Sequence, residues 1–190
     1  MSPARSIPGT IESLPRSFGL SPITIDQLSA LLAEYVRQSG ASVDLLLVGG
    51  LALQAYGYAG RTTQDVDGEV TGDVDSLVRF LQQHQVPADI RENMSGWSVV
   101  AMPPGYRERA SVLLDGPGLR LRLLDPVDFI IAKLRRGTEI DIEDANYVAR
   151  RFGIAPKAVS EAAAAAISAS PKDTAIFLFQ KTVDIFCSRL

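Results

Sequence analysis

Residues 45–70 read LLLVGGLALQAYGYAGRTTQDVDGEV, and the order of the parts in this stretch decides the fold. The apolar run ending at Val48 predicts a buried strand. Gly49-Gly50 predicts a tight turn into a short helix reaching Tyr56. A loop carrying Arg61 then leads to Asp65-Val66-Asp67 at the entrance of a second strand. Successive strand side chains point to opposite faces, so Asp65 and Asp67 are expected side by side on one face. Two such carboxylates repel each other unless a cation lies between them, and hard oxygen donors suit Mg²⁺. A glycine turn that opens a helix offers backbone N–H groups to a phosphate. A phosphate cradle beside a metal-binding acid pair is the equipment of phosphoryl or nucleotidyl transfer.

Composition narrows the carriers of any such chemistry. The chain has 190 residues, 46% of them hydrophobic, which suits one domain with a substantial core. A net charge of -3 argues against a protein whose main task is to coat nucleic acid. One cysteine, Cys187, excludes a disulfide scaffold and a cysteine zinc site, and fits a reducing cytoplasm. One histidine, His84, excludes histidine triads and multi-histidine zinc centres, so carboxylates must hold any metal. No secretory signal and no apolar run of membrane-spanning length is visible, and a soluble, cytoplasmic protein without membrane contact is expected.

Outward from the central stretch, residues 1–20 read as a flexible lead-in, and residues 21–153 as the main α/β unit. Residues 154–190 read as a helical appendage of the same unit. A helix is expected to start at Ser21-Pro22 or Thr24 and run to about Gln38, with a strand over 44–48, a strand over 64–70 and a helix over 74–84. Strands are expected over 88–92, 97–102, 110–114 and 119–124, the last two joined by a turn at Asp115-Gly116-Pro117-Gly118. Asp125 and Pro126 open a helix that Gly137 stops, another helix covers 139–152, and a final pair divides near Ser170-Pro171. Trp97 is expected in the core rather than as a base-stacking platform. Lys133 at a helix end reads by itself as a solvated charge favoured by the dipole. Arg107, Arg109, Arg120 and Arg122 fit an acceptor groove or an ordinary solvated face.

Gly49-Gly50, Gly60-Arg61-Thr62-Thr63 and Asp65-x-Asp67 together resemble the signature of the DNA polymerase beta-like nucleotidyltransferase superfamily. Leu124-Asp125-Pro126, Asp128, Lys133-Leu134 and Asp141-x-x-Asp144 are similar to the later block of its minimal, abortive-infection (AbiEii-type) toxin-like branch. The resemblance spans roughly residues 43–150. It implies a nucleotidyltransferase fold, a small mixed β-sheet flanked by helices with a C-terminal helical part. It also implies transfer of a nucleoside monophosphate from an NTP to an RNA, protein or small-molecule acceptor. On this resemblance Asp65 and Asp67 would hold Mg²⁺ (or Mn²⁺) and the triphosphate. Gly49, Gly50, Arg61 and Thr63 would line the nucleotide, and Lys133 would neutralise phosphate charge. Asp141 or Asp144 would position the acceptor or hold Lys133 and Arg61. The branch also implies a partner or antitoxin protein. One departure stands out: Ser111 occupies the place where many active members carry a third carboxylate, which leaves Asp115 or Glu69 as substitutes. The competing reading is therefore a catalytically degenerate module that binds nucleotide or a partner protein.

Overall fold

The computed structural model describes residues 22–60 and 62–190. The expected lead-in and Arg61 lie outside the described residues. Thr24 starts the first helix, α1 (Ile25–Ser39), through a reciprocal capping box with Gln27, and Gly40 ends it in the left-handed conformation. The stretch at 45–70 then gives β1 (Val43–Leu47), α2 (Gly50–Ala55) and β2 (Val66–Thr71). Asp73 caps α3 (Val74–Gln83), which leads to β3 (Ala88–Arg91). After a single 3₁₀ turn and the short α4 (Tyr106–Arg109), a hairpin of β4 (Ser111–Gly116) and β5 (Leu119–Leu123) follows. Four helices complete the chain: α5 (Pro126–Arg136), α6 (Glu139–Phe152), α7 (Pro156–Ala169) and α8 (Ala175–Cys187).

The architecture is α/β, with a mixed five-stranded sheet in the order β3-β2-β1-β5-β4, flanked by helices. β1 pairs antiparallel with β2 and parallel with β5, while β2 runs parallel with β3 and β4 antiparallel with β5. β1 lies at the centre, and its Leu45, Leu46 and Leu47 are fully buried, as a strand covered on both faces must be. The core continues through Phe129, Ile130 and Ile131 of α5 to Val159, Ala163, Phe179 and Phe186 of the last two helices. α7 and α8 pack on each other and on α5. No helix among the described residues is long and apolar enough to cross a membrane.

Two expectations need correction. Residues 97–102 do not form a strand. Met94–Gly96 is a 3₁₀ turn and the chain then runs irregularly, because its carbonyls are taken up by an arginine of α5 instead of a neighbouring strand. Asp65 lies just before β2 rather than within it, at a bend beside Thr63, which makes an isolated bridge with Ile23.

Candidate active site

The glycine turn and the second acid meet by direct contact. A Cβ on Gly49 would stand 1.8 Å from Asp67 Oδ2, so only glycine lets the Asp67 side chain lie against the turn. Gly50 is pressed in the same way: a Cβ there would fall 2.6 Å from the side chain of Thr63. The Thr63 hydroxyl in turn donates to Asp65 Oδ1 at 2.6 Å. Gly49, Gly50, Thr63, Asp65 and Asp67 thus form one packed group where β1 hands over to α2. The first N–H groups of α2 have no intrahelical partner, as at any helix start.

Asp67 is half-buried, and its carboxyl is pushed up to about 6, first by burial and then by the charge of Asp65, against the opposing pull of Arg136 and Lys133. No cation among the described residues forms an ion pair with it. Asp67, Gly49 and Lys133 line one narrow cleft of about 40 Å³, together with Val48, Met94, Trp97, Ser98, Ala132, Arg135 and Arg136.

Lys133 is only 6% exposed. Its ammonium donates to Asp144 Oδ2 at 2.7 Å and Asp141 Oδ1 at 3.3 Å. Asp141 also accepts two bonds from Arg136, at 2.9 and 3.1 Å, and one from the Thr138 hydroxyl at 2.7 Å. Burial pushes Asp141 up, yet the Thr138 hydroxyl and the Arg136 and Lys133 charges outweigh it and hold the carboxyl below its ordinary value. Lys133 is therefore a buried charge at the cleft lining, held by Asp141 and Asp144 of α6. Arg136 follows Lys133 by three positions and so shares its side of α5, a spacing that could have drawn attention to it in the sequence.

The third-acid question takes a different form in the structure. Ser111 opens β4, at the outer edge of the sheet and separated from β2 by β5 and β1. At roughly 4.8 Å per strand, an acid there would stand on the order of 14 Å from the acid pair, so Ser111 is not the position that would complete the set. Asp115, also on β4, is exposed and paired with Arg120. Glu69 is buried and spoken for by the Tyr106 hydroxyl at 2.6 Å and by Arg107. The β5 residue level with Glu69, through their common partner Leu46, is Arg122, which pairs with Asp44 at 2.6 Å. Arg107, Arg109, Arg120 and Arg122 are each committed to a carboxylate and do not form a free groove.

Among the described residues no group of three or more His, Cys, Asp or Glu side chains could hold a metal by itself. Mg²⁺ is commonly held by one or two carboxylates plus the phosphates of a substrate. Asp65 and Asp67 fit that shared mode and not a protein-only cage. Arg135, which sequence reasoning missed, and Trp97, which it placed in the core, are cleft-wall residues, and Asp89 accepts from the Trp97 indole. Trp97 is half-buried and lines the cleft, and Arg135 is not a solvated charge but reaches across to the 94–100 segment.

The family of nucleotidyltransferases of unknown function (DUF6036) matches residues 24–149, from the first helix into α6. The chain belongs to this family. The matched stretch of this nucleotidyltransferase family includes the glycine turn, the acid pair, Lys133, Asp141 and Asp144. No curated protein and no solved structure matches the chain.

Proposed function

We propose that the cleft binds a nucleoside triphosphate with Mg²⁺ or Mn²⁺ and transfers its nucleoside monophosphate to an acceptor hydroxyl, releasing pyrophosphate. The observation that carries this reading is the placing of Asp67. Its carboxylate lies on the Gly49 turn, beside Asp65, in a cleft shared with Lys133 and Arg136, and is pushed up first by burial and then by the Asp65 charge. Asp65 and Asp67 would hold the ion with the triphosphate, and an ion so held supplies positive charge to phosphate oxygens. Gly49 and Gly50 would present N–H groups to the phosphates, and Arg61 and Thr63 would line the nucleotide. Arg136 and Lys133 would add positive potential, Lys133 fixed by Asp141 and Asp144. The acceptor belongs to one of three classes: an RNA end, a protein hydroxyl or a small molecule. The abortive-infection toxin-like branch, a partner or antitoxin protein and a cytoplasmic setting belong to the same proposal.

A second reading has its own support. Glu69 is committed to Tyr106 and Arg107, and Arg122 stands where β5 would offer an acid, so among the described residues two carboxylates converge and no third joins them. That favours a module that binds nucleotide without turnover. Incubation with each labelled NTP, Mg²⁺ or Mn²⁺ and a cell extract separates the two. Label transferred to RNA, protein or a small molecule, and lost in Asp65→Asn/Asp67→Asn, supports the transferase. Mg²⁺-dependent NTP binding without transfer supports the second reading. Equal NTP affinity in wild type and the double variant removes both.

A further inference from the structure

Half of the cleft has no place in phosphate chemistry. Met94, Trp97, Val48 and Ala132 supply the apolar part of its lining, beside Asp67 and the basic residues of α5. We propose that Trp97, the only tryptophan of the chain, is the platform on which the nucleobase stacks. This inference rests on the triphosphate reading above and adds the part of the ligand that the phosphate end does not hold.

Three features hold the indole as a fixed surface at that place. Its Nε1 donates to Asp89 Oδ2 at 2.6 Å. Asp89 is the register partner of Asp67 across β2 and β3, so the ring is tied to the strand position next to the acid pair. Arg91 bonds the other oxygen of Asp89 at 2.9 Å and lies over the ring, 5.8 Å from its centre. The irregular segment that carries the ring is itself clamped. Arg135 donates to the carbonyls of Val100 at 2.7 Å, Met94 at 2.8 Å and Ser98 at 3.4 Å.

That clamp is unusual in its chemistry. Arg135 forms no ion pair with a carboxylate among the described residues, and burial lowers its pKa to about 10. A buried guanidinium without a counter-charge is costly to keep. Here its donors serve to fix the loop that bears Trp97. The wall offers few polar groups to a base edge: the Ser98 hydroxyl already accepts from the Val100 N–H at 3.2 Å. Recognition should therefore run through the π-face, which every base possesses, and discriminate weakly among the four bases.

The test uses Trp97 as its own reporter. Emission and affinity are measured in Mg²⁺ for ATP, GTP, CTP and UTP, and for inorganic tripolyphosphate, which has the phosphates and no base. Stacking on one aromatic ring predicts NTP binding about 5- to 150-fold tighter than tripolyphosphate. It also predicts a change of Trp97 emission with every NTP that tripolyphosphate does not reproduce. By calorimetry, Trp97→Leu should bring NTP affinity down to that of tripolyphosphate and leave tripolyphosphate unchanged, while Trp97→Phe keeps most of the difference. Equal affinity of NTP and tripolyphosphate for the wild type overturns the proposal and leaves the phosphate site standing. A Trp97→Leu variant that loses both ligands alike makes Trp97 a structural wall and also overturns it. Failure of the wild type to bind either ligand overturns the triphosphate reading itself. The wild-type comparison decides even if the leucine variant does not fold.

Discussion

Replacing Lys133 by methionine tests whether the α5–α6 charge cluster is part of the scaffold. The ammonium lies 2.7 Å from Asp144 and 3.3 Å from Asp141 in a side chain almost closed to water. Methionine keeps most of the stem's volume, so little cavity is created and the change is chiefly one of charge. Asp141 retains Arg136 and Thr138, and the loss falls mainly on the shorter contact to Asp144. Breaking a buried ion pair from one side costs about 3–5 kcal/mol. For a protein of this size that corresponds to a fall in Tm of roughly 6–20 °C. Thermal and urea unfolding followed by Trp97 emission measure it, and Lys133→Met/Asp144→Leu should recover part of the loss by removing both charges. The penalty should also depend on pH. Asp141 has a folded pKa below its ordinary 3.8, so its contribution is present above that value and lost as pH falls through the folded one. The share of the Lys133→Met penalty that falls on Asp141 should therefore shrink in acid below about pH 4. A loss within about 0.5 kcal/mol at neutral pH, the range of a solvated surface charge, would refute the reasoning.

Three further outcomes are expected. Gly49→Ala would place a methyl group 1.8 Å from Asp67 Oδ2 and 2.6 Å from its Cβ; overpacking of about 1–3 kcal/mol should appear in thermal unfolding, with loss of Mg²⁺-dependent NTP binding, and unchanged binding would show that the side chain can move aside freely. Asp67 has its folded pKa raised to about 6, so its contribution to stability is present below its unfolded value and lost as pH rises through 6; Asp67→Asn should raise the ligand-free Tm at pH 7–8 and leave it near wild type at pH 4, while abolishing NTP binding. Thr138 accepts from the Asp141 N–H at the start of α6 and also donates to its carboxylate; Thr138→Ala should cost about 1–2 kcal/mol in a urea titration.

What could be read from the sequence followed local rules. The strand–turn–helix–strand order foretold that Asp67 faces the Gly49 turn, and caps at Thr24, Asp125 and Thr138 set three helix starts. The joining of Lys133 with Asp141 and Asp144 came from family resemblance, since the angle between α5 and α6 cannot be derived from spacing. Arg135 and Trp97 escaped for a related reason. Alternating apolar residues near Trp97 suggested a strand, but no neighbouring strand pairs with that segment in the described fold. Its carbonyls find Arg135 instead, 35 residues further along, and no local pattern in either segment announces the meeting. The third-acid position was misplaced because sheet order is also non-local: β4, though near β5 in sequence, is the strand farthest from β3.

α5 is a party wall. One flank faces the cleft through Ala132, Lys133, Arg135 and Arg136, and others are covered by α7 and α8. The stretch that defines the family ends at residue 149, before either of those helices begins. The shortest chain that holds every candidate ligand-binding residue is therefore not the shortest chain that holds them still. Phe179 and Val183 touch no part of the cleft, yet they belong to the masonry against which Lys133 keeps its bearing. If the cleft holds a triphosphate as proposed, damage there would be felt as a loosened grip on phosphate, far from any residue proposed to meet it.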